Sequence, residues 1–183
     1  MIVLGLTGSI GMGKSRAAKM LRMMGVPVHD SDKAVHDALR PNGSAFDAVS
    51  KMFPSAITKG VIDRKKLGAI VFSDKAALKQ LESVLHPAAQ QSQQNFIRAM
   101  HAKGRRVVVL EIPLLFETGA DSRVDYVITV SAPAAIQRRR VMKRKNMTEE
   151  KFKSILESQW PDAAKRAESD YVVDTGLGPA RTY

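Results

Sequence analysis

The sequence predicts an α/β fold, a five-stranded parallel sheet flanked by helices, and three observations predict it. Short apolar runs alternate with longer amphipathic stretches, the pattern expected when each strand returns to one sheet through a helix. The first apolar run ends in a glycine-rich loop that opens directly into a helical pattern. With 183 residues, 44% of them hydrophobic, the chain has material for one ordinary domain, 1–183, carrying an insertion rather than two independent domains.

The first strand is read over Ile2 to Leu6. Gly8-Ser9-Ile10-Gly11-Met12-Gly13-Lys14-Ser15 follows it and fits the P-loop pattern GxxxxGK[ST], and a helical pattern with Ala17, Ala18, Met20, Leu21 and Met24 comes next. Glycines at these spacings let the backbone turn tightly and approach an anion, so that successive N–H groups and the helix N-terminus cradle phosphate oxygens. The bland alternative is a flexible glycine turn beside a surface lysine. The strand-loop-helix order favours a nucleoside triphosphate site and hence the P-loop nucleoside triphosphate hydrolase/kinase fold. Lys14 is expected to reach the β- and γ-phosphates, and Ser15 to ligate Mg2+ through its hydroxyl.

A second strand, Val26 to His29, ends in His29-Asp30-Ser31-Asp32, which places two carboxylates at the edge where open α/β sheets bind ligands. In phosphoryl transfer to a hydroxyl, such a carboxylate orients the acceptor and takes its proton late; that role is assigned to Asp32. Capping of the following helix is the competing reading of the pair. The helical stretches after it, from Asp32 to Leu39, through Phe53, and from Arg64 and Asp74 to about Lys103, exceed what one crossover requires. An inserted helical subdomain where an acceptor is held against the nucleotide is expected, against a merely longer crossover. The remaining strands are read at Arg106 to Leu110, Val124 to Val130 and Tyr171 to Val173, with a helical excursion from Pro133 to about Glu168 between the last two.

Six of the eight residues from Arg138 to Lys145 are basic, with Arg140 and Arg144 at i and i+4 on a predicted helix. A mobile lid that carries these arginines onto the phosphates, a solvated basic face and a nucleic-acid patch all fit this composition; the P-loop favours the lid, and the lack of nearby aromatic residues disfavours nucleic acid. The formal charge of +11 calls for an anionic ligand or partner without saying which. The absence of cysteine excludes disulfides, thiolate nucleophiles and cysteine-ligated metals, and the four histidines form no metal motif. With no basic leader and no apolar run of membrane length, a soluble cytoplasmic protein with no membrane partner is expected. A GTPase switch lacks its guanine-reading NKxD segment.

Taken together the motifs resemble the dephospho-coenzyme A kinase family. The resemblance rests on LTGSIGMGKS at 6–15, Asp30 and Asp32, His86-Pro87, IPLLFE at 112–117, the arginines from 140 to 144, Ile155, Gln159 and Lys165, and AESDYVVDTG at 167–176. It implies ATP-dependent phosphorylation of the ribose 3′-hydroxyl of dephospho-coenzyme A, the last step of coenzyme A biosynthesis, by an alcohol-directed phosphotransferase. It also implies a helical coenzyme A-binding subdomain over residues 40–100 and a lid over residues 138–165, that Gly11, Met12, Gly13, Lys14, Ser15 and Arg16 contact the ATP phosphates, that Asp32 is the base and that Arg140 meets phosphate. Pro113 to Glu117 would line the acceptor cleft, although an apolar turn covering the core explains the same residues. A kinase for another small hydroxyl acceptor, such as a nucleoside monophosphate or sugar acid, is the alternative function. A monomer or weak homo-oligomer is expected. His86 is read as helping Pro87 start a helix. The chain departs from the family pattern at Arg16, usually a small hydroxyl residue, at Thr175, commonly asparagine at the turn that makes the family's adenine-side contact, and at Tyr183, where it stops short of the C-terminal helix many relatives carry.

Overall fold

The structure, a computed structural model, describes residues 1–177. In chain order the elements are β1 (Ile2–Thr7), α1 (Lys14–Met23), β2 (Val28–Asp30), α2 (Ser31–Ala38), α3 (Phe46–Met52), β3 (Ile57–Thr58), β4 (Val61–Ile62), α4 (Arg64–Ser73), α5 (Lys75–Ala102), β5 (Val107–Glu111), β6 (Tyr126–Ser131), α6 (Ala134–Met142), α7 (Glu149–Glu157), α8 (Asp162–Ala167) and β7 (Tyr171–Asp174). They form two compact units, one of Met1–Asp30 with the chain from Ala99 onward and the other of Ser31–Arg98.

The first unit is built on a five-stranded sheet in the order β2-β5-β1-β6-β7, and every pairing is parallel. Val108, Val109 and Leu110 are all buried although consecutive residues of β5 point to opposite faces, as expected of a parallel strand covered on both sides. Leu6, Ala18, Val109 and Val130 form the centre of this unit's core. Parallel pairing leaves the carboxyl ends of β1, β2 and β5 together: Leu6 and Asp30 both stand in register with Glu111.

All five strands sit where the apolar runs predict them, with shifted ends. β2 starts at Val28 rather than Val26 because the end of α1 uses the intervening backbone: Gly25, at φ +80°, donates to Arg22 O, and Val26 donates to Leu21 O. β6 starts at Tyr126 rather than Val124, since the Asp125 carboxylate takes the Val3 N–H at 2.7 Å. The helix carrying the arginine run ends at Met142, so Arg144 lies beyond it and does not share a helix face with Arg140. Arg144 instead closes a turn by donating its N–H to Val141 O and opens the next by accepting from Met147 N–H, and the chain passes through a left-handed Asn146 before α7.

The second unit packs α2 to α5 around Val49, Phe53, Leu67, Val71 and Leu81. It contains a hairpin the sequence pattern does not announce: β3 and β4 pair Ile57 with Ile62 and Thr58 with Val61. Lys59 and Gly60 both have positive φ, the two-residue turn that matches strand twist, but strands of two residues leave no readable alternation. Pro87 lies inside α5 rather than at a helix start, which corrects the reading of His86-Pro87. A 28-residue helix tolerates the one missing N–H and its local clash because turns on both sides carry it through.

Leu6→Ala should cost about 2–5 kcal/mol in a urea titration, since Leu6 is wholly enclosed in the first core. Phe72→Ser, at a side chain 89% exposed on α4, should stay within about 0.5 kcal/mol of the parent. Burial pushes His29 below its ordinary value near 6.5, the adjacent Asp30 carboxylate opposing the shift. The unfolded chain therefore takes up this proton first as pH falls through about 6.5, so stability should drop there and level off below the lowered folded value. His29→Gln should shrink the difference between urea midpoints measured at about pH 5.5 and 7.5.

Candidate active site

The glycine loop leaves the carboxyl end of β1 and enters α1 with no side chain capping that helix and no acidic residue in its first turn. Gly13 supplies the junction at φ +96°, and Gly11 turns at φ +77°. A Cβ on Gly11 would also stand 2.5 Å from Val141 Cγ2, so only glycine fits there. Bare N–H groups, a helix N-terminus and the cations Lys14 and Arg16 thus converge at one sheet edge, with Ser15 and Arg16 exposed.

Lys14 is already aimed. Its Nζ lies 2.9 Å from Glu111 Oε1, and Arg22 Nη2 lies 3.6 Å from Glu111 Oε2. Glu111 is buried and Lys14 nearly so, which places this ion pair in a low-dielectric setting, whereas Arg22 is well exposed and contributes less. Sequence reasoning passed over Glu111, yet a signal was present: Val107 to Leu110 are apolar, and a carboxylate closes the run at the carboxyl end of a parallel strand.

The far side of the loop is held by side chains from the last third of the chain. Gln137 Nε2 donates to Ile10 O at 2.8 Å, and Gln159 Oε1 accepts from Ile10 N at 3.0 Å. Arg140 Nη1 donates to Thr175 Oγ1 at 2.9 Å and reaches Gly11 O at 3.5 Å, while its Nη2 donates to Thr175 O at 2.6 Å. Thr175 Oγ1 lies 2.6 Å from Met12 O, and Ala132 N donates to Met12 Sδ at 3.2 Å. Arg138 pairs with Glu149 across α6 and α7.

The Pro113 to Glu117 segment divides its residues between two tasks. Leu115 and Phe116 are buried, whereas Leu114 is exposed. Phe116 stacks on Trp160 with centroids 5.4 Å apart, and Glu117 Oε1 accepts from Trp160 N at 2.7 Å. The wholly buried Lys165 brings its Nζ to 2.8 Å from Glu117 Oε1; the angles make this an ion pair rather than a hydrogen bond.

The sequence pattern of the dephospho-CoA kinase family matches residues 2–178. The chain belongs to that family. The dephospho-CoA kinase of Mesorhizobium japonicum is 52% identical over 178 residues, covering 97% of this chain and 89% of that one. A crystal structure from Thermus thermophilus superposes with a TM-score of 0.88 at 34% identity, covering 99% of this chain and 91% of its own. The dephospho-CoA kinase of Campylobacter jejuni gives 0.72 at 28% identity, covering 98% and 90%.

Against the dephospho-CoA kinase pattern, the departure at Thr175 gains a structural account, for its hydroxyl and carbonyl are both engaged with Arg140 and the loop. Gly11, Met12, Gly13, Lys14, Ser15, Arg16 and Arg140 lie together in the first unit; Asp32 lies in the first turn of α2, at the start of the second. Replacing the buried carboxylate by Glu111→Gln leaves the Lys14 ammonium without its counter-charge and should lower stability by about 1–3 kcal/mol in a urea titration. Arg22→Ala, at the exposed partner, should cost no more than about 1 kcal/mol.

Proposed function

We propose that this protein transfers the γ-phosphoryl group of ATP to the ribose 3′-hydroxyl of dephospho-coenzyme A, giving coenzyme A and ADP. The observation that carries the reading is the glycine loop at the end of β1, with Lys14 drawn into it by the buried Glu111, in a chain of the dephospho-CoA kinase family. The loop's N–H groups and Lys14 bind and orient the triphosphate, and their fixed positive charge meets the negative charge that gathers on the transferring group. As the triphosphate arrives, the Lys14 ammonium exchanges part of its contact with Glu111 for phosphate oxygens.

In this reading Asp32 orients the acceptor hydroxyl. The hydroxyl oxygen forms a bond to the γ-phosphorus as the bond from that phosphorus to the bridging oxygen breaks, ADP departs, and the proton passes to Asp32. Three of the five N–H donors of Arg140 are engaged with Thr175 and Gly11, which leaves two for phosphate. Residues 40–100 serve the acceptor, and residues 138–165 act as a lid that excludes water.

Magnesium fits the donor set. The described residues hold no cluster of three or more His, Cys, Asp or Glu that would retain a resident ion, while the Ser15 hydroxyl and the Glu111 carboxylate are hard oxygen donors of the kind magnesium takes alongside phosphate oxygens and water. Bound with the nucleotide, the ion would neutralise phosphate charge. No helix among the described residues is long and apolar enough to cross a membrane. The reading places the work in the cytoplasm, where ATP is supplied.

Purified protein incubated with Mg-ATP and dephospho-coenzyme A should add one phosphoryl group to the acceptor, read by mass spectrometry. Lys14→Ala should lower turnover at least about 100-fold, and Asp32→Asn about 100- to 10,000-fold with ATP affinity largely kept. For Arg140→Ala the loss should appear in kcat beyond any rise in the KM for ATP; an unchanged kcat would remove it from the transition-state contacts.

A further inference from the structure

We infer that Thr175, with Gln137 and Arg140, presets the phosphate-facing N–H groups of the glycine loop by holding its carbonyls, so that Thr175 is a positioning residue for the triphosphate rather than a reader of the base. The inference rests on the triphosphate reading of the loop. Three consecutive loop carbonyls are engaged by side chains of α6 and of the residue after β7: Ile10 O by Gln137, Gly11 O by Arg140 and Met12 O by Thr175. In a trans peptide the C=O and the following N–H point in opposite directions, and every peptide bond of the described chain is trans. Holding each oxygen therefore fixes the direction of the N–H that follows it, at Gly11, Met12 and Gly13. Met12 N–H closes a turn onto Ser9 O at 3.1 Å, and the Gly11 and Gly13 N–H groups remain for an anion.

The hydrogen inventory of residue 175 shows how little freedom it keeps. A hydroxyl has one proton to give, and its short 2.6 Å contact to Met12 O outcompetes the 3.2 Å contact to Ser131 O. A hydroxyl lone pair takes Arg140 Nη1, the carbonyl takes Arg140 Nη2, and the backbone N–H goes to Ser131 O at 2.8 Å. Thr175 and Gln137 are both buried, so water does not readily replace either contact. The side chain also fills the space beside Gly13, where an added Cβ would lie 3.0 Å from Thr175 Oγ1. One residue at the end of β7 thus fixes a peptide of the loop and the guanidinium that lies against it.

The test compares binding of Mg-ATP and of inorganic triphosphate, by calorimetry without acceptor, in the parent, Thr175→Val, Thr175→Ser and Gln137→Met, each first shown to be folded by its thermal transition. Thr175→Val keeps the shape and removes the proton; it should weaken both ligands by about tenfold and by the same factor, with Thr175→Ser returning to within about threefold. In turnover assays the KM for ATP should rise with the loss of affinity while the KM for dephospho-coenzyme A stays within about twofold. Parent-like affinity in a folded Thr175→Val overturns the proposal, as does a loss seen with ATP but absent with inorganic triphosphate, which would make residue 175 a reader of the base. If Thr175→Val does not fold, Gln137→Met decides, since removal of the donor to Ile10 O should weaken both ligands in the same way and parent-like binding would overturn the idea. A parent protein that binds triphosphate but leaves dephospho-coenzyme A unmodified would refute the acceptor assignment alone, and the binding comparison would still judge the role of Thr175.

Discussion

A loop that holds a polyphosphate must keep backbone N–H groups free of internal acceptors, yet a free N–H is useful only if its direction is fixed. Outside a helix's first turn, helices and strands cannot meet both demands, because their ladders consume the N–H groups they order. Here the demands are met by pairing the other half of each peptide. Ile10, Gly11 and Met12 give their carbonyls to Gln137, Arg140 and Thr175, and the left-handed turns at Gly11 and Gly13 make that arrangement sterically possible. The rest of the first unit is arranged around this constraint: β6 ends beside the loop so that Ala132 N meets Met12 Sδ, α6 lies close enough for Val141 to occupy the space a side chain at Gly11 would need, and β7 ends with Thr175 against Gly13.

Charge is handled by burial. Among the described residues of the first unit, two ion pairs are largely withdrawn from water, Lys14 with Glu111 and Lys165 with Glu117, and each joins segments distant in sequence. Such pairs add little net stability against an apolar replacement, but breaking one leaves a stranded charge, so they enforce a specific arrangement. Glu111 orients the lysine that faces the phosphates. Glu117 receives both Lys165 and the Trp160 N–H, tying the segment after β5 to the chain between α7 and α8. The exposed pair of Lys33 with Asp37 on α2, four residues apart, has no comparable consequence.

The two units differ in what their cores accomplish. The sheet of the first aligns strand ends to within a register position, which suits a site whose groups must be placed within tenths of an ångström. The helices of the second enclose Val49, Phe53 and Leu67 with only the short β3–β4 hairpin beside them, a packing that builds a supporting body around α2, whose first turn carries Asp32.

Local chemistry made much of this legible in the sequence. The glycine spacing before Lys14 and Ser15 works through a few adjacent peptides, so strand, loop and helix could be read in order, and apolar runs marked all five strands, most plainly β5, which is buried on both faces. Strand ends were misjudged where a competing hydrogen bond came from elsewhere, from the close of α1 at Val26 and from the Asp125 carboxylate at Val3. The two-residue strands of the hairpin at Lys59-Gly60 were too short for any period to show. What the sequence determined by itself was the kind of site and its position at the end of β1. Only the tertiary structure decided that Glu111 holds Lys14 and that Thr175 and Arg140 hold the loop, because those contacts join residues 97 to 163 positions apart, and nothing short of the folded sheet brings such residues within a hydrogen bond of one another.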